Sequence, residues 1–562
     1  MTFNFSKKFL NQVDKLPDKQ ILRMLIDGDY KHLTYKDIYM GACRYERELI
    51  KTGVNSGDVV ILILPHGLDL IFAYFGVILN GSIPSIMPFL TEKLIAEKYR
   101  EDFKSLIEIS KPSALITFPG FKDEIKHLDT HKSSLGVVIF SNETGLNHGL
   151  DGEFLKHKGL LRLDNEVALL QHSSGTTGLQ KGVALSHKAI FNQLESYQAA
   201  LIINKDDVIV SWLPLYHDMG LIAGFLLPLL YGIPLVLMSP FDWVKAPHKL
   251  MQAISEYKGT LCWLPNFAYN FCARKIRDRD LTNVDLSSLR AVTNCSEPMR
   301  LSSHEMFINR FKPYGLKESA LATSYAMAEN VFAVTQAGID LPITYDEVDL
   351  ISLQENKSAI PVKEGNRSVV MVSAGRPISN VEVKIIDSTG NFLKERQIGE
   401  IVIRSNCMLN GYYNRDEITR KSFIDDWFKT GDFGYIADQE IYISGRKKDL
   451  IIIGGKNIYP KDLETIAMGV EGVHPGRVVA FGVYNELKGT EDVVIITEIE
   501  DKFLTNKNKV IEDIRKKIAR ESAITLRTIL IVDKKWLIKT SSGKIARALN
   551  KKKYIEETIS NV

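Results

Sequence analysis

Several things are missing from this chain of 562 residues, and each absence removes a class of function. No charge of one sign dominates. The 71 Lys and Arg against 68 Asp and Glu leave a formal net charge of +3, too small to argue for nucleic acid as a partner. Cysteine is scarce. Cys43, Cys262, Cys272, Cys295 and Cys407 are odd in number and show no CxxC spacing, which excludes a disulfide framework or a zinc site and suits a reducing, cytoplasmic setting. The N-terminal "MTFNFSKKFLNQVDKLPDKQ" has no apolar run long enough for a signal peptide. The most hydrophobic segment, "GLIAGFLLPLLYGIPLVLM", carries two prolines and three glycines, so it reads as buried core containing a strand and not as a stable membrane insertion. No internal repeat is present.

What is there is α/β texture. The 45% hydrophobic, 25% charged composition is that of a globular chain, and the length allows from two to about four domains. Over roughly the first 440 residues, short apolar runs alternate with helical patterns. "VVILILP" from Val59 is a strand, and "LDLIFAYFGVILNG" is a helix stopped by Gly81. "SALITF", "GVVIF", "DVIVSWLP", "IPLVLMSP", "GTLCWLP" and "LRAVTN" are further buried strands. Near "YISGRKKDLIIIGGKNIYP" the texture changes to a connector and then a compact unit, with strands at "VVAFGVY" and "DVVIITEI" and a helix at "KVIEDIRKKIARE". From Thr505 to Val562 there are fifteen Lys or Arg against six Asp or Glu, which reads either as a solvated face or as a docking surface for an acidic partner.

The stretch "QHSSGTTGLQKGVALSHKAI" carries a loop suited to phosphate. Glycines admit backbone N–H groups to an anion, hydroxyls donate to its oxygens and a lysine adds charge. It is not the ordinary nucleotide P-loop. Gln180 stands where the second glycine belongs and Gly182 where a Ser or Thr should follow Lys181, which disfavours a P-loop phosphotransferase. Further polar segments follow in order: "SWLPLYHDMGL" with His217, "TNCSEP" with Glu297, "SYAMAEN" with Glu329, "WFKTGDFG" with Asp432, "ISGRKKD" with Arg446 and "KTSSGKIAR" with Lys544. Alone, each is weak. Their order and spacing are specific.

With those segments in place, the chain resembles, over nearly its whole length, the adenylate-forming superfamily of acyl-CoA synthetases, peptide-synthetase adenylation domains and luciferases. The resemblance implies a large, layered α/β adenylation domain over residues 1–446 and a small mobile α+β domain over 447–562, with a hinge at Lys448. It implies ATP and Mg²⁺, with a carboxylate attacking the α-phosphate, pyrophosphate leaving and an acyl adenylate remaining. Residue by residue, Ser173, Ser174, Gly175, Thr176, Thr177, Gly178 and Lys181 match the segment that holds the β- and γ-phosphates, with Gln180 in place of a usual proline. Glu329 matches the magnesium ligand, Asp432 the ribose contact, and Arg446 a ribose or phosphate contact. Ser296, Glu297, Pro298, Ser324 and Tyr325 also fall on nucleotide-binding positions. Lys544 matches the lysine that bridges carboxylate and α-phosphate, and His217 the gate beside the acyl carboxylate. Trp263, Phe267, Cys295 and Ala326 fall along the acyl channel; Cys295 and Ala326 replace glycines, which narrows it and disfavours a long or branched tail.

Within the superfamily, "SWLPLYHDMGLIAG", "LMSPFDWVKAPHKLMQAISEYKGT", "LPNFAYNFCARKI" and "LDLISLQENKSAIPV" followed by "VSAGRPI" look like fatty acyl-AMP ligases. The 46 positions from Glu329 to Gly375 leave room for an insertion, within about Asp340 to Ser373, that in that subfamily restrains the small domain and disfavours CoA. The resemblance therefore implies an apolar carboxylic acid as substrate and the phosphopantetheine thiol of an acyl carrier protein as acceptor. The alternatives are an acyl-CoA synthetase or a catalytically silent nucleotide-binding or scaffold protein.

Overall fold

The structure is a computed structural model, and it describes residues 4–91, 96–127, 135–141, 156–173, 181–453, 456–485, 490–522, 524, 526, 528–540 and 543–559. Among the described residues the chain forms two seven-stranded sheets, a five-stranded antiparallel sheet, and a smaller unit with a three-stranded sheet. In the first large sheet the spatial order is Leu321–Thr323, Ala291–Asn294, Leu261–Leu264, Ile209–Ser211, Leu235–Leu237, Gln20–Ile26 and Asp29–Thr34; all pairs are parallel except the terminal hairpin. The second orders Gly411–Tyr412, Lys181–Ser186, Val167–Ser173, Ile83–Ile86, Val59–Ile63, Ala114–Thr117 and Val137–Phe140.

The apolar runs account for these elements. Val59–Ile63 is aliphatic throughout and buried at every position, as a parallel strand covered on both faces must be. Leu68–Asn80 is apolar almost all round, lies between the layers, and ends on Gly81 at φ 78°. Its pairing with Tyr35–Lys51 depends on two glycines. A Cβ at Gly41 would lie 2.4 Å from the Phe72 ring and one at Gly76 2.7 Å from the Ala42 carbonyl, so any side chain would force the helices apart. "GLIAGFLLPLLYGIPLVLM" is buried core, as expected: Met219–Leu226 is π-helical, Leu227–Tyr231 α-helical and Leu235–Leu237 a strand. Among the described residues no helix is long and apolar enough to cross a membrane.

The third sheet comprises Val381–Ile386, Gly399–Ser405, Trp427–Ala437, Phe423–Ile424 and Glu440–Arg446. Strands Tyr345–Asp349 and Ser368–Val372, with the helix Leu350–Glu355 between them, lie on it. Val348, Leu353 and Ala359 join Ile398, Tyr435, Ala437 and Tyr442 in one apolar cluster, and Asp346 is held by Arg396 and by the Tyr435 hydroxyl, each at 2.9 Å. The same helix lies beside strand Lys456–Ile458 of the smaller unit. That unit has its own core, built from the sheet Val473–Asn485, Thr490–Ile499 and Thr528–Val532 and the helices Pro460–Met468 and Lys507–Ser522.

Four histidines shut away from water should make the fold acid-sensitive. Burial holds His66, His172 and His304 down to about 4 and His187 to about 3, from an ordinary value of 6.5. His187 Nδ1 accepts the Phe5 N–H and His304 Nε2 accepts from Asn294, so both rings are folded in the neutral form. A depressed histidine is neutral in both states above pH 6.5 and has no effect there. Below it the unfolded chain takes up protons that the folded chain refuses, so stability falls by about 1.4 kcal/mol per histidine per pH unit until the folded pKa is reached. The melting temperature should therefore drop steadily from pH 6.5 to 5, before carboxylates titrate, and the slope should be shallower in His304→Gln; a flat profile over that window would remove the histidines as the cause.

Candidate active site

The strands of the first sheet end together, and ligands of open α/β sheets bind beyond the C-terminal ends of parallel strands. Phe267 follows Leu261–Leu264, Cys295 to Pro298 follow Ala291–Asn294, and Ser324 and Tyr325 follow Leu321–Thr323. The ends are fixed by polar contacts. Asn294 Nδ2 donates to Asn266 Oδ1 at 3.0 Å and His304 Nε2 at 2.9 Å, the Phe267 N–H to Glu297 Oε2 at 2.9 Å, and Ser324 Oγ to the Thr335 carbonyl at 2.8 Å.

Lys544 of the smaller unit reaches into this crevice. Its Nζ donates to the Ser296 carbonyl at 2.7 Å. Ser296 has φ 68°, a left-handed conformation uncommon for a non-glycine residue and often found where a site stores strain. Burial pushes the Lys544 ammonium below its ordinary value; Glu297 and Asp218 oppose that shift and Arg446 adds to it. Asp218, which the sequence reading passed over, faces His217 Nδ1 at 2.6 Å and accepts the Met219 N–H at 2.8 Å. Burial alone would raise its carboxyl, but His217, the Met219 N–H and Lys544 outweigh it and hold Asp218 below the usual range. The signal was present: Asp218 directly follows His217 in the sequence.

A second arm holds Glu329. The Tyr412 hydroxyl donates to Glu329 Oε1 at 2.8 Å, and Lys181 Nζ lies 4.6 Å over the Tyr412 ring. Burial raises the Glu329 carboxyl, while Tyr412 and Lys181 moderate the rise. The turn behind it is strained. Val331 is β-branched yet sits at φ 63°, ψ −55°, a γ-turn closed by the Phe332 N–H on the Asn330 carbonyl at 2.7 Å. Lys181 faces Ser173 across the hairpin of Val167–Ser173 and Lys181–Ser186. The expected phosphate contacts Ser174, Gly175, Thr176, Thr177 and Gly178, with Gln180, lie outside the described residues.

A third arm comes from the third sheet. Asp432 and Arg446 face each other across adjacent strands, with Arg446 Nε 3.4 Å from Asp432 Oδ1, and the Tyr325 hydroxyl donates to Asp432 Oδ2 at 2.6 Å. Lys448 follows two residues later, its ammonium pushed down to about 8 by burial, with Arg446 adding to the effect.

Of the expected acyl-channel residues, Cys295 is fully buried, its thiol pushed up to about 12 by burial, and Ala326 is partly buried. Phe267 stands edge-on to Trp212 and Trp243, which stack on each other with ring centroids 3.6 Å apart. Trp263 is buried differently: its Nε1 donates to the Tyr197 hydroxyl at 2.8 Å, which donates on to Gln336 Oε1 at 3.0 Å. That is a pinned wall. Chemically, the arrangement presents two ammonium groups, Lys544 and Lys181, and a guanidinium, Arg446, around acceptors at Glu329 and Asp432, the charge pattern suited to a polyphosphate carrying a sugar and a metal ion.

A family model described as AMP-binding enzyme matches residues 9–413. The medium-chain fatty acid acyl-carrier-protein ligase JamA of Moorena producens is 30% identical over 555 residues, 95% of this chain and 91% of the relative. The probable long-chain fatty acid AMP ligase FadD30 of Mycobacterium tuberculosis is 29% identical over 93% of this chain and 92% of the relative. Among solved structures, a fatty acid AMP ligase from Legionella pneumophila is 29% identical with a TM-score of 0.74, covering 99% of this chain and 96% of that one. A fatty acyl-adenylate ligase structure from a study of the E. coli and L. pneumophila proteins reaches a TM-score of 0.90 at 24% identity, with 99% of each chain covered, and bears on the fold.

Proposed function

The chain belongs to the AMP-binding enzyme family, and from that premise we propose that it joins a fatty or other apolar carboxylic acid to AMP at the expense of ATP and passes the acyl group to the phosphopantetheine thiol of an acyl carrier protein. In the first step a carboxylate oxygen attacks the α-phosphorus and the bond to pyrophosphate breaks. In the second the thiol sulfur attacks the acyl carbonyl carbon and AMP leaves. The likeness to fatty acid ligases at 28–30% identity over most of the chain supports the acid class and the carrier.

The observation that carries the reading is Lys544 in the crevice, 2.7 Å from the Ser296 carbonyl and beside Asp218 and Glu297. Two anions must meet there, and a buried ammonium aimed between them offsets their repulsion as charge moves to the bridging oxygen. Lys181, with Ser173 to Gly178, holds the β- and γ-phosphates. Asp432, kept in place by Tyr325 and Arg446, takes the ribose hydroxyls, and Ser296 to Pro298 with Ser324 frame the nucleotide. His217, oriented by Asp218, stands beside the carboxylate. Residues 1–446 and 447–562 act as two domains turning about Lys448. The five free, buried cysteines suit a cytoplasmic enzyme.

Glu329 fits Mg²⁺ brought by the nucleotide. Among the described residues no three His, Cys, Asp or Glu cluster as a metal cage, whereas Mg²⁺ is commonly held by one or two carboxylates plus substrate phosphates. The buried Glu329, aimed by Tyr412, is such a carboxylate. When bound, the ion neutralises phosphate charge; the chain's part is to orient the ligand and keep it ionised beside Lys181.

The test is pyrophosphate release from ATP across a series of carboxylic acids, followed by offering each adenylate to CoA and to holo carrier protein in parallel. Thioester on the carrier supports the reading. CoA thioester alone overturns the second step, and no pyrophosphate with any acid overturns the first. Within the same series, Cys295→Gly with Ala326→Gly should widen acceptance towards longer or bulkier acids by about tenfold in relative kcat/KM, because a methyl-sized group in a close-packed wall is worth ~1–3 kcal/mol. An unaltered profile would mean that selectivity is set deeper, at Phe267 and the stacked Trp212 and Trp243.

A further inference from the structure

The loop that meets Lys544 makes a second contact with the smaller unit. Four residues beyond Ser296, Arg300 Nη2 lies 2.7 Å from Asp462 Oδ1, with the two side chains 20% and 29% exposed. Arg300 precedes the helix Leu301–Phe311, and its backbone N–H donates to Asn266 Oδ1 at 3.3 Å, the oxygen that also receives Asn294 Nδ2. Its guanidinium is thus based on the same polar bed that fixes the strand end before Cys295 and Ser296.

Asp462 is equally well connected on its own side. It lies in the first turn of the helix Pro460–Met468, and Glu464 on that helix holds Arg547 Nη2 at 2.7 Å. Arg547 is three residues beyond Lys544; it also pairs with Asp449, next to Lys448, and donates to the Ala480 carbonyl at 2.9 Å. The helix bearing Asp462 and the segment bearing Lys544 therefore move as one body. When Lys544 reaches Ser296, Asp462 reaches Arg300. The ion pair of Lys447 and Glu400 cannot play this part, because Lys447 adjoins the pivot at Lys448 and is displaced little by a turn about it.

We propose that Arg300 and Asp462 are positioning residues that latch the small domain in the adenylate-forming orientation and take no part in the chemistry. The proposal rests on the functional reading above, in which thiol transfer needs Lys544 to withdraw from the acyl carbonyl. Breaking the pair should therefore act on one half-reaction only. It leaves Arg300 with a charge and no acceptor in a half-buried place, where its Nε has no partner, so the domain spends less time closed.

The test compares wild type with Arg300→Asp, Asp462→Arg and the double exchange. Pyrophosphate release is followed in a single turnover, transfer is followed separately from purified acyl adenylate to holo carrier protein, and a fluorophore pair across the two domains reports orientation. Each single reversal should slow pyrophosphate release about tenfold, since it replaces an attraction with a repulsion. Transfer should stay at the wild-type rate or rise, the fluorophore distance should shift, and the double exchange should recover most of the loss. Unchanged pyrophosphate release, or both half-reactions falling together with no recovery in the double exchange, overturns the latch. Failure of the wild type itself to release pyrophosphate overturns the functional reading instead, and the fluorophore distance then decides the latch by itself.

Discussion

Lys544→Ala is expected to slow acyl-adenylate formation by about 10²- to 10³-fold while ATP binding changes only a few-fold, the loss typical of removing one electrostatic donor from a reacting site. The argument is geometric. Lys544 belongs to the unit outside the crevice and enters it from the segment just before Arg547, so it is not needed to hold ATP against Lys181, Glu329 and Asp432. On the proposed reading it acts where the carboxylate meets the α-phosphate, close to the Ser296 carbonyl it contacts at 2.7 Å. Burial works against its charge while Glu297 and Asp218 support it, so the ammonium is oriented by fixed carboxylates and not by water, and little reorganisation is required as charge develops. Lys544→Arg should recover little, because a planar fork cannot replace a compact point charge at a carbonyl-lined position. Single-turnover pyrophosphate release and nucleotide titration on the same protein check both halves of the claim. An unchanged rate would take Lys544 out of the mechanism.

Much of the scaffold was legible because parallel strands buried on both faces need unbroken aliphatic runs. "VVILILP", "SALITF", "GTLCWLP" and "LRAVTN" each contain the strand the structure shows, and Gly81 stops its helix where the chain needs φ 78°. The site was legible only in part. Lys544, Glu329, Asp432 and Arg446 stand in punctuated polar segments whose order carries the family resemblance, and the structure brings them to one crevice. Asp218, Tyr412 and the Arg300 and Asp462 pair were missed because their importance lies in contacts across 83 to 162 residues, or in a neighbour's orientation, and local pattern carries neither. Trp212 and Trp243 were missed for a related reason. An aromatic residue beside a strand reads as core until its stacking partner is placed. The π-helical turn Met219–Leu226 is announced by no cap beyond Asp218, whose carboxylate accepts the Met219 N–H, and its apolar run with Gly220 and Gly224 reads equally as strand or helix.

Excising the helix Leu350–Glu355 is expected to turn CoA from a poor acceptor into a measurable one. Replacing residues 350–358 with about three glycines, a bridge that loop entropy tolerates, should raise CoA thioester formation by up to about fiftyfold with adenylation retained, the change produced when an orientation populated at 1% approaches parity. The excision is confined to the helix because the hairpin beneath it is structural. Val348 is buried against Tyr435 and Tyr442, and Asp346 is gripped by Arg396 and Tyr435, so losing the whole of 340–373 would uncover the third sheet. The Asp349 N–H bonds the Ile360 carbonyl at 2.8 Å, which brings the two cut ends close enough to join. What the helix supplies is contact with strand Lys456–Ile458, beyond the proposed pivot at Lys448, and that contact would resist the proposed rotation of the smaller unit. Leu353→Ala separates the two effects. It should cost stability by about 2–3 kcal/mol through lost packing yet leave the helix over the strand, and so leave CoA a poor acceptor. If the excised protein folds, releases pyrophosphate at the normal rate and still ignores CoA, the helix is not what selects the acceptor. The discrimination must then reside where the thiol itself is received, in the crevice beside His217.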